Sequence, residues 1–553
     1  MIYPLAISSI LAVAAAAFGP LVTVLNGTYE GYHLPTHRQD VFLGLPYAQP
    51  PLGSLRFQGP QSLNSTWSGS RPAIEYSDVC MQYVADPGYP MSEDCLTLNI
   101  IRPTNASSSS KLPVAVWIHG GGLYSGSSRQ TNLTNFVSQG TTSHNPFIAV
   151  SINYRLSAFG FLWGSGEVAT HGSANNGLRD QRLALSWIQE NIGFFGGDAS
   201  KVTIFGQSSG GLSVGKQLIA YGGRDEGLFR AAIMQSGGMA EKWPYNIKDP
   251  EVYTRDLYMN LTTTTGCVDS ANSFECLREL PIKSLSGALN ISNTPVFSGT
   301  GLGPWLTQVD GDILLDGPTE SLDRGRFVPV PIMYTTTTDE ATAFSFVTSV
   351  DTDADFRAFV AAGGPDAVTV SEIEKLYPRS LGLPVGWTPT AEEEATYGAQ
   401  WKRAVAFHTD AVETCSRRRT IDAWTAANGT SYAARINILA PNDAARLGSH
   451  HSVELDYVFS NTDSTNGALV NMANLVSRVW ASFVVHLDPN HHHIRGVPHW
   501  PVWNGSGVDG TVGYNFVFNT NGSIGSSSYV ELDDYRLEQT TYLNSVMHSQ
   551  MYY

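Results

Sequence analysis

The sequence predicts an α/β fold: a mostly parallel central sheet with helices on both faces and helical cap insertions. Three observations point to it. Short β-branched runs alternate with amphipathic stretches, as when strands are joined through covering helices. Several runs are apolar throughout, as strands buried on both faces are. Two of them lead directly into glycine-rich turns.

Taken in order, residues 114–118 (VAVWI) read as a strand entering His119-Gly120-Gly121-Gly122. Residues 147–152 (FIAVSI) read as a fully buried strand. Residues 181–191 (QRLALSWIQEN) read as an amphipathic helix, with Leu183, Leu185, Trp187 and Ile188 available for packing. Residues 201–205 (KVTIF) form the next strand, followed by GQSSG and a helix. The serine run at 107–110 suits a surface loop between strands. Beyond residue 240 the pattern loosens into longer helical and loop segments, expected to cap the sheet. There is no internal repeat and no clear linker, so 20–553 is taken as a single domain.

Bulk chemistry narrows the partners. The chain has 553 residues, a formal net charge of −16 and only 15% charged residues. That balance argues against nucleic acid, which needs clustered Lys and Arg. Twelve Trp, 24 Tyr and 23 Phe suffice to line an aromatic pocket for a small neutral molecule.

Residues 1–19 are apolar, with small residues before Pro20, and read as a secretory signal peptide although they lack an early Lys or Arg. No second hydrophobic stretch is apparent, so no membrane anchor is expected. Asn26, Asn64, Asn105, Asn132, Asn260, Asn290, Asn428, Asn504 and Asn521 each head a glycosylation triplet, which suits a secreted glycoprotein. Cys80 and Cys95 flank one loop, Cys267 and Cys276 another, and either pair could close locally. Cys415 is left over on an apolar helical face with Ala404, Phe407, His408, Ala411 and Val412, and is read as a buried thiol.

The strongest chemical signal is Gly206-Gln207-Ser208-Ser209-Gly210. A G-x-S-x-G between strand and helix is a nucleophile elbow, with Ser208 at its tip. Gly211–Gly215 repeats the pattern, but Ser213 has no strand before it and is a decoy. The glycines after strand 114–118 suit an oxyanion hole, since glycine lets backbone N–H groups approach a developing negative charge. Gly121, Gly122 and Ser209 are the expected donors. The acid and base are expected to follow in the order Ser, acid, His, but fourteen His are present and local chemistry does not choose among them. The run His491–His493 could bind a metal, but a solvated loop is the simpler reading. No metal or cofactor is required.

The chain resembles the carboxylesterase type B family of α/β-hydrolases, which includes cholinesterases, carboxylesterases and fungal lipases. Similarity runs from about Val22 to the region of Trp500. It is carried by NGTYEG (26–31), PPLGSLRF (50–57), SEDCLTLNI (92–100), HGGG (119–122), NYRL (153–156), NNGLRDQRLAL (175–185), FGGD (195–198), GQSSGG (206–211) and QSGG (235–238). The resemblance implies Glu340 as the acid, from TTTTDEATAF, and His451 as the base, from an H-x-x-E pattern before an aromatic-rich strand. His450 and Asp339 are the rivals. It further implies Ser236 as a serine near the triad, the bridges Cys80–Cys95 and Cys267–Cys276, and an ion pair of Arg56 with Glu93. The expected activity is hydrolysis of carboxylic esters.

Three departures bear on the ester. Gln207 stands where the family usually has Glu. The Cys80–Cys95 loop is short and lacks Trp, unlike the choline-binding or lid-bearing loops of relatives. Gly301 and Gly303 in SGTGLGPWLTQ suggest a roomier acyl pocket. These favour a secreted esterase for neutral small-molecule esters. The alternatives are an interfacial lipase and a non-catalytic binding or adhesion protein on the same fold.

Overall fold

A computed structural model describes residues 19–83, 87–239, 249–291, 303–344, 347, 349–380, 388–440, 443–462, 465–505, 512–520 and 528–550. The expected signal peptide, Gly301 and Asn521 therefore lie outside the described residues, apart from Gly19.

The main sheet contains β1 (Tyr32–Leu34), β2 (Gln39–Pro46), β3 (Thr97–Pro103), β4 (Leu112–Ile118), β5 (Ile148–Ile152), β6 (Gly197–Gln207), β7 (Ala231–Gln235), β8 (Ile332–Thr337), β9 (Ser431–Asn437), β10 (Tyr514–Asn519) and β11 (Tyr529–Leu532). Their spatial order is β11-β10-β9-β8-β7-β6-β4-β5-β3-β2-β1. Every pairing from β5 across to β10 is parallel, while the outer pairings are antiparallel.

Both faces of the central strands are covered, which is why their sequences are apolar without alternation. Val114, Val116 and Ile118 face one core, and Ala115 and Trp117 face the other. The chain goes from β4 to β5 on one side, then returns past β4 to β6 on the other. This reversal leaves a crevice at the carboxyl ends of β4 and β6, the position where open α/β sheets take their ligands. Gly206 lies opposite Ile118 there, so the glycine turn and the GQSSG turn are neighbours.

The excursion between β7 and β8 carries the helices Pro250–Thr265, Ser273–Glu279 and Ile282–Ile291. It returns against the end of β4, where the Gly303 N–H donates to the Gly122 carbonyl at 2.7 Å. The Trp305 indole N–H donates to the Tyr83 hydroxyl at 2.8 Å. The expected helical insertions are thus present.

Several local expectations need correction. The helix expected over 181–191 begins earlier and spans Asn176–Asn191. The Cys415 face is not one continuous helix. A π turn, Asp410–Thr414, separates Trp401–Thr409 from Cys415–Ala426. There Asp410 is enclosed, accepting from the Tyr377 hydroxyl at 2.8 Å and pairing with Arg536 at 2.7 Å. Residues 455–458, expected to begin a strand, form the short helix Leu455–Val458. Its Tyr457 and Val458, with Phe459, are buried in the core that holds Val476 and Trp480 of helix Gly467–His486. That long helix also corrects the absence of a second hydrophobic stretch. It is apolar and long enough to cross a membrane, but 61% of its apolar window is buried in the fold.

Disulfides join Cys80 to Cys95 and Cys267 to Cys276. Cys415 is free and enclosed, and burial pushes its thiol well above the ordinary value. Arg56 forms a two-point pair with Glu93, at 2.7 Å on both arms. Its Nη1 also donates to the Arg278 and Leu280 carbonyls, tying the two disulfide loops together.

These contacts set an expectation for the thiols. A non-reducing digest is expected to yield Cys80–Cys95 and Cys267–Cys276 peptides, with Cys415 alkylated only after unfolding. In the chain-entropy view a loop of 15 residues contributes about 3 kcal/mol, so reduction is expected to lower Tm. Recovery of Cys415 in a bridge refutes the pairing.

Candidate active site

Ser208 sits where β6 turns into the helix Ser209–Gly223, with φ 57° and ψ −131°. A side-chain-bearing residue holds such a conformation at a cost of about 1–3 kcal/mol. The Ser208 N–H donates to the Gln235 carbonyl at 2.9 Å, and its carbonyl accepts the Leu212 N–H at 2.9 Å. The flanking glycines have a steric cause. A Cβ on Gly210 would lie 2.1 Å from the Ile118 oxygen, and one on Gly206 would lie 2.4 Å from the Gly210 carbonyl. Ser213, the decoy, is buried inside the helix with its hydroxyl donating to the Ser209 carbonyl.

The loop from β4 presses on this elbow. A Cβ on Gly120 would lie 2.7 Å from the Gln207 oxygen and 3.1 Å from the Ser208 Cβ. Gly121 and Gly122 follow with φ 108° and 64°. Among the described residues, the N–H groups of Gly121, Gly122 and Ser209 have no hydrogen-bond acceptor.

Glu340 opens a 3-10 turn just past the end of β8 and is buried. Its Oε1 accepts the Thr337 N–H at 2.6 Å, and its Oε2 lies 2.6 Å from His451 Nδ1. The rivals are occupied elsewhere. His450 Nε2 contacts Asp443 at 2.6 Å. Asp339 accepts the Ser449 N–H at 3.0 Å, while its own N–H donates to the Ser449 carbonyl. Asp339 thereby clamps the Glu340 turn to the loop that carries His451.

The third contact differs from the simplest expectation. His451 Nε2 lies 3.2 Å from the Gln207 Nε2, and no hydrogen bond joins it to Ser208 among the described residues. With Nδ1–H committed to Glu340, an unprotonated Nε2 accepts from the carboxamide. The imidazole thus lies beside the serine rather than on it.

Burial opposes the charged form of His451. The hydrogen bond and charge of Glu340, helped by Glu454, outweigh it and hold the imidazole above its ordinary value. Glu454 is enclosed three residues later. Burial, reinforced by Glu340, raises it to about 7. Its Oε1 accepts from Gln235 Nε2 at 3.2 Å, and Gln235 in turn accepts the Trp480 indole N–H at 3.0 Å. Glu454 Oε2 and the Ser236 hydroxyl are both buried without a partner among the described residues.

Some of these groups were not singled out by sequence. Phe344 lies against the His451 ring at 5.1 Å, and Glu454 was quoted only as part of a pattern. Trp305 sets beside Tyr83 the indole that the disulfide loop itself lacks. Gly303 does not open a pocket: a Cβ there would meet Tyr124 at 2.7 Å, so the glycine permits close packing. No cluster of three or more His, Cys, Asp or Glu is placed to hold a metal among the described residues. Asn64, Asn105, Asn132, Asn260, Asn428 and Asn504 are exposed. Asn26 is half-buried and donates to the Ser65 carbonyl. The Asn290 side chain is outside what is described.

The model of the carboxylesterase family matches residues 19–509. Lipase 5 of Diutina rugosa is 33% identical over 526 residues, spanning 88% of this chain and 90% of that protein. Secreted lipase 1 of Botryotinia fuckeliana is 32% identical, covering 84% of each. Among solved structures, the crystal structure of Aspergillus niger EstA superposes with a TM-score of 0.80 at 29% identity, covering 97% of this chain and 99% of that one.

The geometry sets a pH expectation. A base must be unprotonated, so activity is lost as pH falls through the His451 pKa. The acid limb of kcat/KM is expected above the free-histidine value of about 6.5. In Gln207→Glu a second carboxylate faces the imidazolium, and the limb is expected to move up by roughly one unit. A limb that stays or moves down in the variant refutes the contact.

Proposed function

The chain belongs to the carboxylesterase family, and from that premise we propose that it hydrolyses neutral esters through an acyl-enzyme formed on Ser208, with His451 as base and Glu340 as its partner. Family membership makes it a carboxylic ester hydrolase. The observation that carries the residue assignment is the 2.6 Å contact of buried Glu340 with His451 Nδ1, made while Nε2 faces the elbow residue Gln207.

In this mechanism His451 Nε2 exchanges the Gln207 amide for the Ser208 hydroxyl and takes its proton as Oγ attacks the ester carbonyl. Glu340 keeps the imidazole in its Nδ1–H tautomer and stabilises the imidazolium. The carbonyl oxygen becomes an oxyanion facing the N–H groups of Gly121, Gly122 and Ser209. Collapse breaks the bond to the alcohol, which leaves with the proton from His451. Water, deprotonated by the same nitrogen, then attacks the acyl-enzyme and releases the acid. Gln207 contributes no charge beside the nucleophile, which supports neutral over cationic substrates. Glu454 adds its charge to that of Glu340 in favouring the imidazolium.

The same reading makes residues 1–19 a cleaved leader and 20–553 one extracellular, glycosylated unit acting on small-molecule esters. Two disulfides and relatives named as secreted lipases support it. A second reading, an interfacial lipase, draws support from the names of those relatives. The short Cys80–Cys95 loop favours the esterase.

Ser208→Ala is expected to lower kcat by at least about 10⁴-fold and to abolish labelling by a fluorophosphonate, with folding intact. His451→Ala is expected to behave alike and His450→Ala to remain active. An active Ser208→Ala protein, or an inactive His450→Ala beside an active His451→Ala, overturns the assignment.

Esterase and lipase separate on a short-chain ester titrated through its solubility limit. Smooth saturation is expected. A sharp rise once droplets form assigns the lipase instead.

A further inference from the structure

We propose that Ser125 and His119 are positioning residues that aim the oxyanion-binding N–H groups of Gly122 and Gly121, an inference that rests on the ester-hydrolase mechanism above. A trans peptide sets its N–H opposite the carbonyl of the preceding residue. Whatever holds that carbonyl therefore aims the N–H.

The Gly121 carbonyl is held by three donors: the Tyr124 N–H at 3.2 Å, the Ser125 N–H at 2.9 Å and the Ser125 hydroxyl at 2.9 Å. The Gly122 N–H shares that peptide plane and points the opposite way. The Gly120 carbonyl is held by His119 Nδ1 at 2.8 Å, which directs the Gly121 N–H in the same manner. The third N–H, of Ser209, is aimed by the helix itself, since the Ser208 carbonyl takes the Leu212 N–H.

External holding matters because glycines restrict their own torsions least. Gly121 and Gly122 stand at φ 108° and 64°, with no side chain to fix them. Preorganised donors are effective only if they do not reorient during the reaction. His119 suits the task. It is stacked on Tyr154 at 4.5 Å, and the Tyr154 hydroxyl donates to its carbonyl at 2.8 Å. Burial, only partly offset by the Gly120 contact, lowers it to about 4, so it stays a neutral Nδ1–H donor throughout the range where His451 is a base. Gly126 closes the contact from outside: a Cβ there would lie 2.3 Å from the Gly120 oxygen and 2.6 Å from His119 Nδ1.

Because His119 is enclosed in the core, the test falls on Ser125, whose hydroxyl can be removed while both backbone bonds to Gly121 remain. The full-length protein is compared with Ser125→Ala and Ser125→Thr. The readouts are kcat and KM on a soluble ester, affinity for an alkylboronic acid that mimics the tetrahedral intermediate, inhibition by the product alcohol, and Tm. In Ser125→Ala, kcat and boronate affinity are each expected to fall about tenfold. KM and alcohol binding are expected to stay within about twofold of wild type, and Ser125→Thr to recover most of the loss. Unchanged kcat and boronate affinity in Ser125→Ala overturn the proposal. So does a loss confined to KM and Tm, or one that Ser125→Thr fails to restore. Fluorophosphonate labelling of the wild type separates the two levels. A labelled wild type with an indifferent Ser125→Ala refutes only the positioning role, whereas absence of labelling at Ser208 refutes both.

Discussion

The site depends on one backbone-to-backbone contact, between the end of β4 and the turn after β6. At Gly210 the Ile118 carbonyl occupies the space of a Cβ, and at Gly120 the Gln207 backbone does. Parallel neighbours bring their carboxyl ends to one edge, but only side-chain-free residues let two such ends touch. The contact also sustains the strained Ser208 backbone, because neither flank has room to relax. Ser208 and the N–H groups of Gly121, Gly122 and Ser209 are therefore parts of one rigid object. His451 arrives separately, on a loop fastened to the Glu340 turn through Asp339 and Ser449.

Around that object the enclosed carboxyl groups are graded rather than uniform. Burial raises Asp339 to about 7 despite the Ser449 N–H and the positive charges of Arg536 and Arg435. Glu454 is raised to about 7. Glu340, rather than either of these, makes the 2.6 Å contact with the imidazole. On the far side Asp533, despite burial, is held down to about 2 by Arg417 and Arg418 and serves as a structural anion. Asp533 accepts directly from two guanidiniums, whereas among the described residues Asp339 and Glu454 hydrogen-bond none.

The sheet core and the elbow were legible because their signals are short motifs, strands apolar on both faces and a G-x-S-x-G between strand and helix, although the contacts that force Gly210 come from distant Ile118 and His119. The proposed base was not local. His450 and His451 are adjacent and alike, and what distinguishes them is a carboxylate 111 residues away against one only 7 away. Local readings failed where tertiary packing overrode period. The resemblance implied an aromatic-rich strand after the H-x-x-E pattern, but a helical turn buries Tyr457, Val458 and Phe459 together. The five positions leading to Cys415 kept a helical spacing that concealed a π turn. Gly303 was read as empty space, although nothing in its own segment reveals that Tyr124 fills that space.

Helix Gly467–His486 meets two solvents if the chain is exported as proposed. Within the fold its apolar side lies against the sheet, with Val476, Val479, Trp480 and Phe483 enclosed. For an exported chain, however, the same twenty residues first pass a translocation channel unfolded, where a stretch of mean hydropathy 1.4 competes for entry into lipid. Arg478 is the one Lys, Arg, Asp or Glu in the segment. In the fold it donates to Gln139 at 2.9 Å, a modest contact at the rim of the core. During export, an arginine near the middle of such a segment costs about 2.5–3.5 kcal/mol on insertion. If the chain is exported as proposed, the larger contribution of Arg478 thus falls before folding, in keeping the core helix from being left behind in the membrane.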